Sequence, residues 1–314
     1  MIDPKIIARR VLLALTLAAT LIALGACSTA RLAYNQAPNL IYWWLDGYAD
    51  FNGAQSAQAR QDIDSFLAWH RSNELPVYAR QLQQWQTLAT QDITPAQACA
   101  QFDVLLAAAQ RVSERGLEPL TRLALRLTPE QLAHLQRHQT KSNESFEKDF
   151  LRGSPEQRLR QRVDPSVSRN EMLYGRLSPA QRELLRNSLQ QSPWDAQTTQ
   201  QERLRRQADL RQTVQTIQTA QNGAAPGASN GNGNGNGTEN GPVSAAALDA
   251  SRGYLARVLR SPTPGYPAYS QAQVQHGCAQ FAALHNTTTP EQRAHAVGVL
   301  KGYEDDLRAL IAQR

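Results

Sequence analysis

The four residues Thr128-Pro129-Glu130-Gln131 carry the pattern that decides the fold of this chain. The Thr128 side chain can accept a hydrogen bond from the backbone N–H of Gln131, and the Gln131 side chain can reach back to the N–H of Thr128. This reciprocal arrangement is the capping box that begins a helix. Pro129 takes the first helical position, where its missing N–H leaves nothing unsatisfied. The stretch therefore predicts a helix that starts at residue 129.

The same pattern recurs elsewhere in the chain, with a capping residue followed three positions later by Gln. The further caps are Asn52, Thr94, Ser154, Ser178 and Thr289, and all but Asn52 are followed by Pro. Apolar residues recur at helical spacing behind these starts, and no stretch shows convincing strand alternation. We therefore expect an all-α protein, an irregular multi-helix bundle.

The sequence predicts the local backbone structure of three further segments. Pro76 lies inside an otherwise helical run over residues 54–89 and predicts a kink. Residues 153–169 are polar and contain Pro165, so we expect irregular structure there. Residues 194–220 predict a long helix that is rich in Gln and Arg.

Residues 1–26 have the composition of a signal peptide. Basic residues in the first ten positions precede an apolar run over residues 11–24. This run is too short to span a bilayer, which needs roughly 20 residues, but it fits the central region of a signal peptide.

The residues Leu24-Gly25-Ala26-Cys27 resemble a bacterial lipobox. The resemblance implies cleavage before Cys27, a diacylglycerol thioether on its sulfur and acylation of the new amino terminus. Ser28 follows instead of the Asp that retains such proteins in the inner membrane, so the resemblance points to the periplasmic face of the outer membrane. The alternative is an ordinary signal peptide beside an incidental cysteine.

Two further cysteines, Cys99 and Cys278, remain once Cys27 carries lipid. The periplasm is oxidising, so a disulfide between them is the favoured interpretation. The alternative is a pair of separately buried thiols, since each lies on or beside an apolar helical face.

The composition divides the chain behind the leader into four parts. Residues 222–242 repeat Asn-Gly and cannot form a core, so we expect a disordered loop around them. The predicted parts are a lipid-anchored tether (27–38), a helical body (39–220), a low-complexity loop (221–247) and a helical segment that packs back on the body (248–314).

An aromatic stretch, LIYWWLDGY, occupies residues 40–48. A short helix with aromatic side chains all round is either buried or lies at an interface. Packing of Trp43 and Trp44 in the core is the favoured interpretation, and insertion of their indoles among lipid head groups is the alternative.

Few residues have spacings that suit catalysis or metal binding. His70 and Glu74 lie one helical turn apart, as do Asp46 and Asp50, and such pairs are more often structural than catalytic. His134 and His138 lack the Glu of a zinc-protease motif, so we expect a solvated pair. We expect no metal and no cofactor.

The formal net charge of +6 is spread along the chain. Proteins that bind nucleic acid gather such charge into a patch with aromatic residues between. We therefore expect no nucleic-acid partner.

Three motifs carry a resemblance to a known family. They are Leu32-Ala33-Tyr34, Tyr42-Trp43-Trp44-Leu45-Asp46-x-Tyr48 and Leu67-Ala68-Trp69-His70-x-x-x-Glu74-Leu75-Pro76-x-Tyr78. Together with Cys27, they resemble a family of uncharacterised helical lipoproteins of proteobacteria. The resemblance implies a helical fold and supplies no catalytic residues.

The polar and aromatic residues of these motifs form our candidate interaction surface. They are Tyr42, Trp43, Trp44, Asp46, Tyr48, Asp50, Trp69, His70, Glu74 and Tyr78.

A second likeness concerns Leu127-Thr128-Pro129-Glu130-Gln131, which is similar to the L-T-x-x-Q motif of small helical periplasmic chaperones. Three functions are therefore considered. The first is a non-enzymatic lipoprotein that binds an envelope protein, the second is a holdase-type chaperone, and the third is an envelope hydrolase that uses His70, Glu74 or the Asp46/Asp50 pair.

Overall fold

The computed structural model describes residues 29–223 and 242–313. These residues form α-helices and no strand, which confirms the all-α prediction. The predicted signal peptide, Cys27 and most of the Asn-Gly tract lie outside the described residues.

Twelve helices follow one another in the described part of the chain. They are α1 (Thr29–Asn35), α2 (Ala37–Ala49), α3 (Gly53–Asn73), α4 (Leu75–Leu88), α5 (Pro95–Leu125), α6 (Pro129–Phe150), α7 (Pro155–Tyr174), α8 (Pro179–Gln191), α9 (Ala196–Gly223), α10 (Ala245–Leu259), α11 (Tyr266–Asn286) and α12 (Pro290–Ala312).

All six predicted capping boxes are present. In each, the cap side chain accepts the N–H of the Gln three residues on, and the Gln side chain accepts the N–H of the cap. They begin α3, α5, α6, α7, α8 and α12. Each box satisfies two backbone donors that the first turn of a helix leaves unpaired.

The kink expected at Pro76 is a break at Glu74, where α3 ends and α4 begins. Pro76 lies in the first turn of α4, where a proline is tolerated.

The prediction of irregular structure over residues 153–169 is wrong, because α7 continues through Pro165. A proline inside a helix frees the carbonyl four residues before it, here that of Gln161. Gln161, Asp164 and Pro165 are all exposed, so water can satisfy the freed group. The capping box at Ser154 starts the helix, and Val163 and Ser166 pack its other side.

Helix α5 is the longest element, with 31 residues, and it contacts α3, α9, α10 and α11. Its first turns pack on α11 through Ile93, Ala98 and Ala282, beside a disulfide that joins Cys99 to Cys278 with 5.2 Å between their Cα atoms. Its last turns pack on α9 and α10 through Ala124 and Val214.

The helices after residue 242 pack on those before residue 223. Helix α12 lies along α4 and also contacts α7, while α11 contacts α5 and α8. Tyr174, Leu185, Leu284 and Ala296 form a buried cluster at this junction. Burial of each large apolar side chain contributes about 1.5–3 kcal/mol, so the two parts of the chain stabilise one another.

Candidate functional site

Helices α1 and α2 form an almost continuous rod at the start of the described chain. The N–H of Gln36 donates to the carbonyl of Leu32, and the N–H of Leu40 donates to the carbonyl of Gln36, each at 3.0 Å. Helix α1 begins two residues after Cys27, so a stretch of at most about 7 Å separates the two positions. Within the segment predicted as a tether (27–38), residues 29–35 and 37–38 are helical.

This rod exposes four large apolar side chains. Leu32, Leu40, Trp43 and Trp44 are exposed by 62%, 50%, 62% and 63%. Their spacings of three, four and eight residues put them on one side of the rod. We call these four residues the aromatic face.

The favoured prediction for Trp43 and Trp44, packing in the core, is therefore wrong. In the described part of the chain, α2 packs against α3 and α6 and also contacts α1, and its buried residues are Tyr42 and Ala49. A helix with aromatic residues all round can bury only the stripe that faces its neighbours.

Three other residues of the predicted surface join α2 to its neighbours. The Tyr42 hydroxyl donates to Ser56 of α3 at 2.9 Å. Asp46 accepts the N–H of Phe51 at 2.9 Å, where the chain turns after α2. Asp50 ends that helix with a positive φ of 49°. The two carboxylates predicted as a possible catalytic pair thus lie at the end of α2, where Asp46 caps the turn and Asp50 ends the helix.

His134 and His138, which the sequence predicts as a solvated pair, are partly exposed and both contact α2. His134 Nε2 lies 3.0 Å from the carbonyl oxygen of Gly47, and the rings of His138 and Tyr48 are 4.0 Å apart between centroids. Both histidines hold α6 against α2. Within residues 29–223 and 242–313, no three His, Cys, Asp or Glu side chains gather closely enough to hold a metal ion.

The second predicted cluster lies where α1, α3, α4 and α5 meet. Glu74 is buried, and both its carboxylate oxygens accept hydrogen bonds from Arg111 of α5, at 2.9 and 2.8 Å. His70 Nδ1 lies 3.0 Å from the hydroxyl of Tyr34 on α1, and its ring contacts that of Tyr78. Neighbouring Trp69 lies beside the guanidinium of Arg115, which is 5.8 Å from its ring centroid.

The titration of this cluster follows from these contacts. The hydrogen bonds from Arg111 are the largest influence on Glu74 and lower the pKa of its carboxyl. Burial lowers the pKa of His70, although the charge of Glu74 opposes the shift. Burial, followed by the charge of Glu74, raises the pKa of Tyr78 to about 12. A neutral histidine beside a carboxylate that Arg111 holds on both oxygens suits a structural junction better than proton transfer.

An apolar cavity of about 770 Å³ opens beside the aromatic face. Its walls come from α2, α3, α5, α6, α9 and α10, and Trp44 and Leu120 stand exposed at its rim. Ile41 and Leu45 of α2 and Val214 and Ile217 of α9 are among the residues that line it. Small-molecule sites have volumes of about 300–1,000 Å³ and mostly apolar walls, so this cavity has the dimensions of a binding site.

Gly116 has no side chain, and this leaves part of the cavity empty. A Cβ atom built at Gly116 meets only Leu120 and Phe66, each at 3.9 Å, and both residues line the cavity. Pro119 lies one turn further along α5. Gly and Pro inside an apolar helical pattern are the sequence signal that marks this site. Leu32, Leu40 and Arg111, which the sequence did not single out as site residues, join the site only in the folded structure.

Residues 47–223 match a family of unknown function, DUF6279. The match covers more than half of the chain. The protein is a member of the DUF6279 family. No curated protein and no solved structure matches it. The matched part of this DUF6279 protein runs from the end of α2 through α9 and includes most of the helices that wall the cavity.

No described helix of the DUF6279 protein is both long and apolar enough to cross a bilayer.

Proposed function

We propose that this DUF6279 protein is a non-enzymatic binding protein of the bacterial cell envelope. Lipid on Cys27 holds it at the periplasmic face of the outer membrane, and its helical body binds an envelope partner. The aromatic face of α1 and α2 rests among the lipid head groups. The observation that carries the proposal is the exposure of Leu32, Leu40, Trp43 and Trp44 on the rod that begins two residues after Cys27.

Contact with a membrane explains why the apolar side chains of the aromatic face are not covered by other helices of the described chain. Indole rings are favoured at the membrane–water interface, where the ring is in apolar surroundings and the N–H stays hydrated. Several acyl chains on Cys27 would keep the rod within reach of the head groups. Transfer of two tryptophans and two leucines from water then adds to the anchor, because each buried Å² of apolar surface contributes about 25 cal/mol.

The test measures binding of an unlipidated chain to membranes. The mature chain from position 27, with Cys27→Ser, is mixed with vesicles of phosphatidylethanolamine and phosphatidylglycerol and sedimented. We expect measurable binding, weakened at least about tenfold by the double substitution Trp43→Ala and Trp44→Ala.

Met172 and Leu204 supply the matched control, because both are exposed apolar residues outside the aromatic face. Their double substitution to Ala should leave vesicle binding unchanged. The proposal fails if the chain does not bind vesicles, if both double variants bind equally, or if intact-mass analysis of the native protein shows an unmodified Cys27.

A second candidate function, a holdase-type chaperone, is favoured by one further observation. Phe102, Val104, Leu105 and Leu106 of α5 are all exposed. Phe102, Leu105 and Leu106 lie on one face of α5 at spacings of three and four residues, and such an exposed apolar face suits reversible contact with unfolded chains. The chaperone-like Thr128 and Gln131 do not contribute, because they cap α6.

An aggregation assay with a heat-unfolded enzyme such as citrate synthase distinguishes a holdase from a protein that only binds an envelope partner. A holdase suppresses it at a few-fold molar excess, and Leu105→Ser with Leu106→Ser abolishes the effect. Absence of suppression by the unsubstituted chain removes this candidate.

A further inference from the structure

We propose that the cavity beside Trp44 binds one unbranched acyl chain of a lipid. The proposal concerns the interior of the body and does not depend on contact between the aromatic face and a membrane. Three features of the cavity support it: the pairing of its polar groups, the position of its rim and the geometry at Gly116.

Two of the polar side chains in the walls, Gln55 and Thr121, already have hydrogen-bond partners within the protein. Gln55 donates to the carbonyl of Arg126 at 2.7 Å and to Gln131 at 3.1 Å. The Thr121 hydroxyl lies 2.7 Å both from the carbonyl oxygen of Leu117 and from the hydroxyl of Ser251.

An occupant therefore finds few hydrogen-bonding groups in this cavity. A peptide would bring backbone N–H and C=O groups, and each one left unpaired is penalised by its full desolvation. A hydrocarbon chain brings no such groups and only replaces water or empty space against apolar walls. The chemistry of the walls thus favours an acyl chain over a protein segment.

The rim leaves the head group of such a lipid in water. Arg122, which lines the cavity, donates to Asp62 at 2.7 Å and to Glu118 at 3.0 Å. A cation held by two carboxylates does not select an anionic head group. Binding should therefore depend on the length of the chain and little on the head group.

The first experiment leaves every residue of the cavity walls unchanged. The mature chain with Cys27→Ser is extracted with a hydrophobic resin and titrated in solution with cis-parinaric acid, whose fluorescence rises in apolar sites. Octanoic, decanoic and dodecanoic acids then compete for the site. We expect one saturable site per chain and an affinity that rises about fourfold per added methylene, since each buried methylene contributes about 0.8 kcal/mol.

The second experiment narrows the cavity. Gly116→Leu places a branched side chain between Leu120 and Phe66 and should weaken parinaric acid binding at least tenfold. Gly116→Ala is the matched control, because its Cβ makes only ordinary contacts, at 3.9 Å. It should bind within twofold of the native chain and unfold at a higher urea concentration, as replacement of a helical glycine predicts.

A second variant, Ala59→Leu, narrows the cavity from its α3 wall if Gly116→Leu does not fold. Three results would each overturn the proposal: no saturable binding by the native chain, affinity that does not change with chain length, or equal binding by a folded narrowed variant. None of these measurements contains vesicles, so failure here is distinct from failure of the membrane proposal.

Discussion

At the scale of single residues, the glutamines of the capping boxes join helices as well as start them. Gln55 and Gln131 each donate from Nε2 to the Oε1 of the other, at 3.1 and 2.7 Å. Gln181 and Gln292 do the same at 2.8 and 3.0 Å. The same Oε1 atoms accept the N–H of their own cap residues. Each of these side-chain amides therefore completes the capping box of its own helix and also hydrogen-bonds to the glutamine of a second capping box.

This double role explains why the boxes with Gln55, Gln131, Gln181 and Gln292 use Gln, although Glu also forms a capping box. The Gln131 amide also donates to the carbonyl of Asp50 at 2.8 Å, and Gln131 is only 7% exposed. A glutamate would keep the bond to the Thr128 N–H, but it has no donor for Asp50 or Gln55.

We predict that Gln131→Glu lowers the free energy of unfolding by about 2–4 kcal/mol, because it buries a charge and removes two hydrogen bonds. Urea denaturation at pH 7 measures the change. Gln97→Glu is the control, since Gln97 fills the same position in an exposed box, and it should change stability by no more than about 0.5 kcal/mol. Equal losses in the two variants would contradict the paired-amide explanation.

At the scale of elements, a buried carboxylate holds α9 to the segment that follows α10. Glu202 of α9 accepts hydrogen bonds from Ser261 at 2.9 Å and from Thr263 at 3.0 Å. Arg205 and Arg206, on its own helix, each donate to it at 2.8 Å. All four donors favour the ionised carboxylate.

Burial alone would raise the pKa of Glu202, but the hydrogen bonds from Arg205, Arg206, Ser261 and Thr263 outweigh it and lower the pKa to about 2. The ordinary value is 4.5, so the folded protein holds the ionised form more strongly than the unfolded chain does. The resulting stability is complete above pH 4.5 and is lost as the pH falls from there through about 2.

We predict that Glu202→Gln is less stable than the native protein by about 3 kcal/mol at pH 6 and that the difference vanishes near pH 2. Gln resembles the protonated carboxyl, so the two proteins converge when Glu202 takes up its proton. The difference in stability is measured from the urea midpoints of both proteins at a series of pH values between 6 and 2. A difference that stays constant over this range would show that Glu202 keeps an ordinary pKa.

At the scale of the whole molecule, the fold extends beyond the part that matches the family. The match ends at residue 223, yet Ala247 of α10 and Leu284 of α11 are fully buried against helices within it. The Cys99–Cys278 disulfide closes this arrangement across the Asn-Gly tract and joins two positions that are 179 apart in sequence.

We predict that reduction of this disulfide lowers the free energy of unfolding by about 2–5 kcal/mol, the range for bonds that close long loops. The chain-entropy model sets the upper end of this range for a loop of 179 residues. Urea denaturation with and without dithiothreitol measures the effect. The double variant Cys99→Ser and Cys278→Ser should unfold like the reduced protein and should not respond to dithiothreitol. Identical midpoints for the oxidised and reduced protein would contradict the prediction.

The sequence alone was enough to predict the helical class and six helix starts, because a capping box is local. A cap residue such as Thr128 and a glutamine such as Gln131 are three residues apart, and their hydrogen bonds form wherever the first turn forms. Pro165 misled the same local reasoning, because a proline interrupts a helix only where the freed carbonyl has no other partner.

Only the tertiary structure decided which side of each helix is covered. The stretch around Trp43 and Trp44 places aromatic residues on several sides of the helix, so it could not show that α3 and α6 cover one side and leave both indoles exposed. The partner of Glu74, the pairing of Gln55 with Gln131 and the hollow at Gly116 likewise depend on residues tens of positions apart. Such contacts are set by how helices pack, and helix packing depends on the shapes of two surfaces that no single stretch of sequence contains.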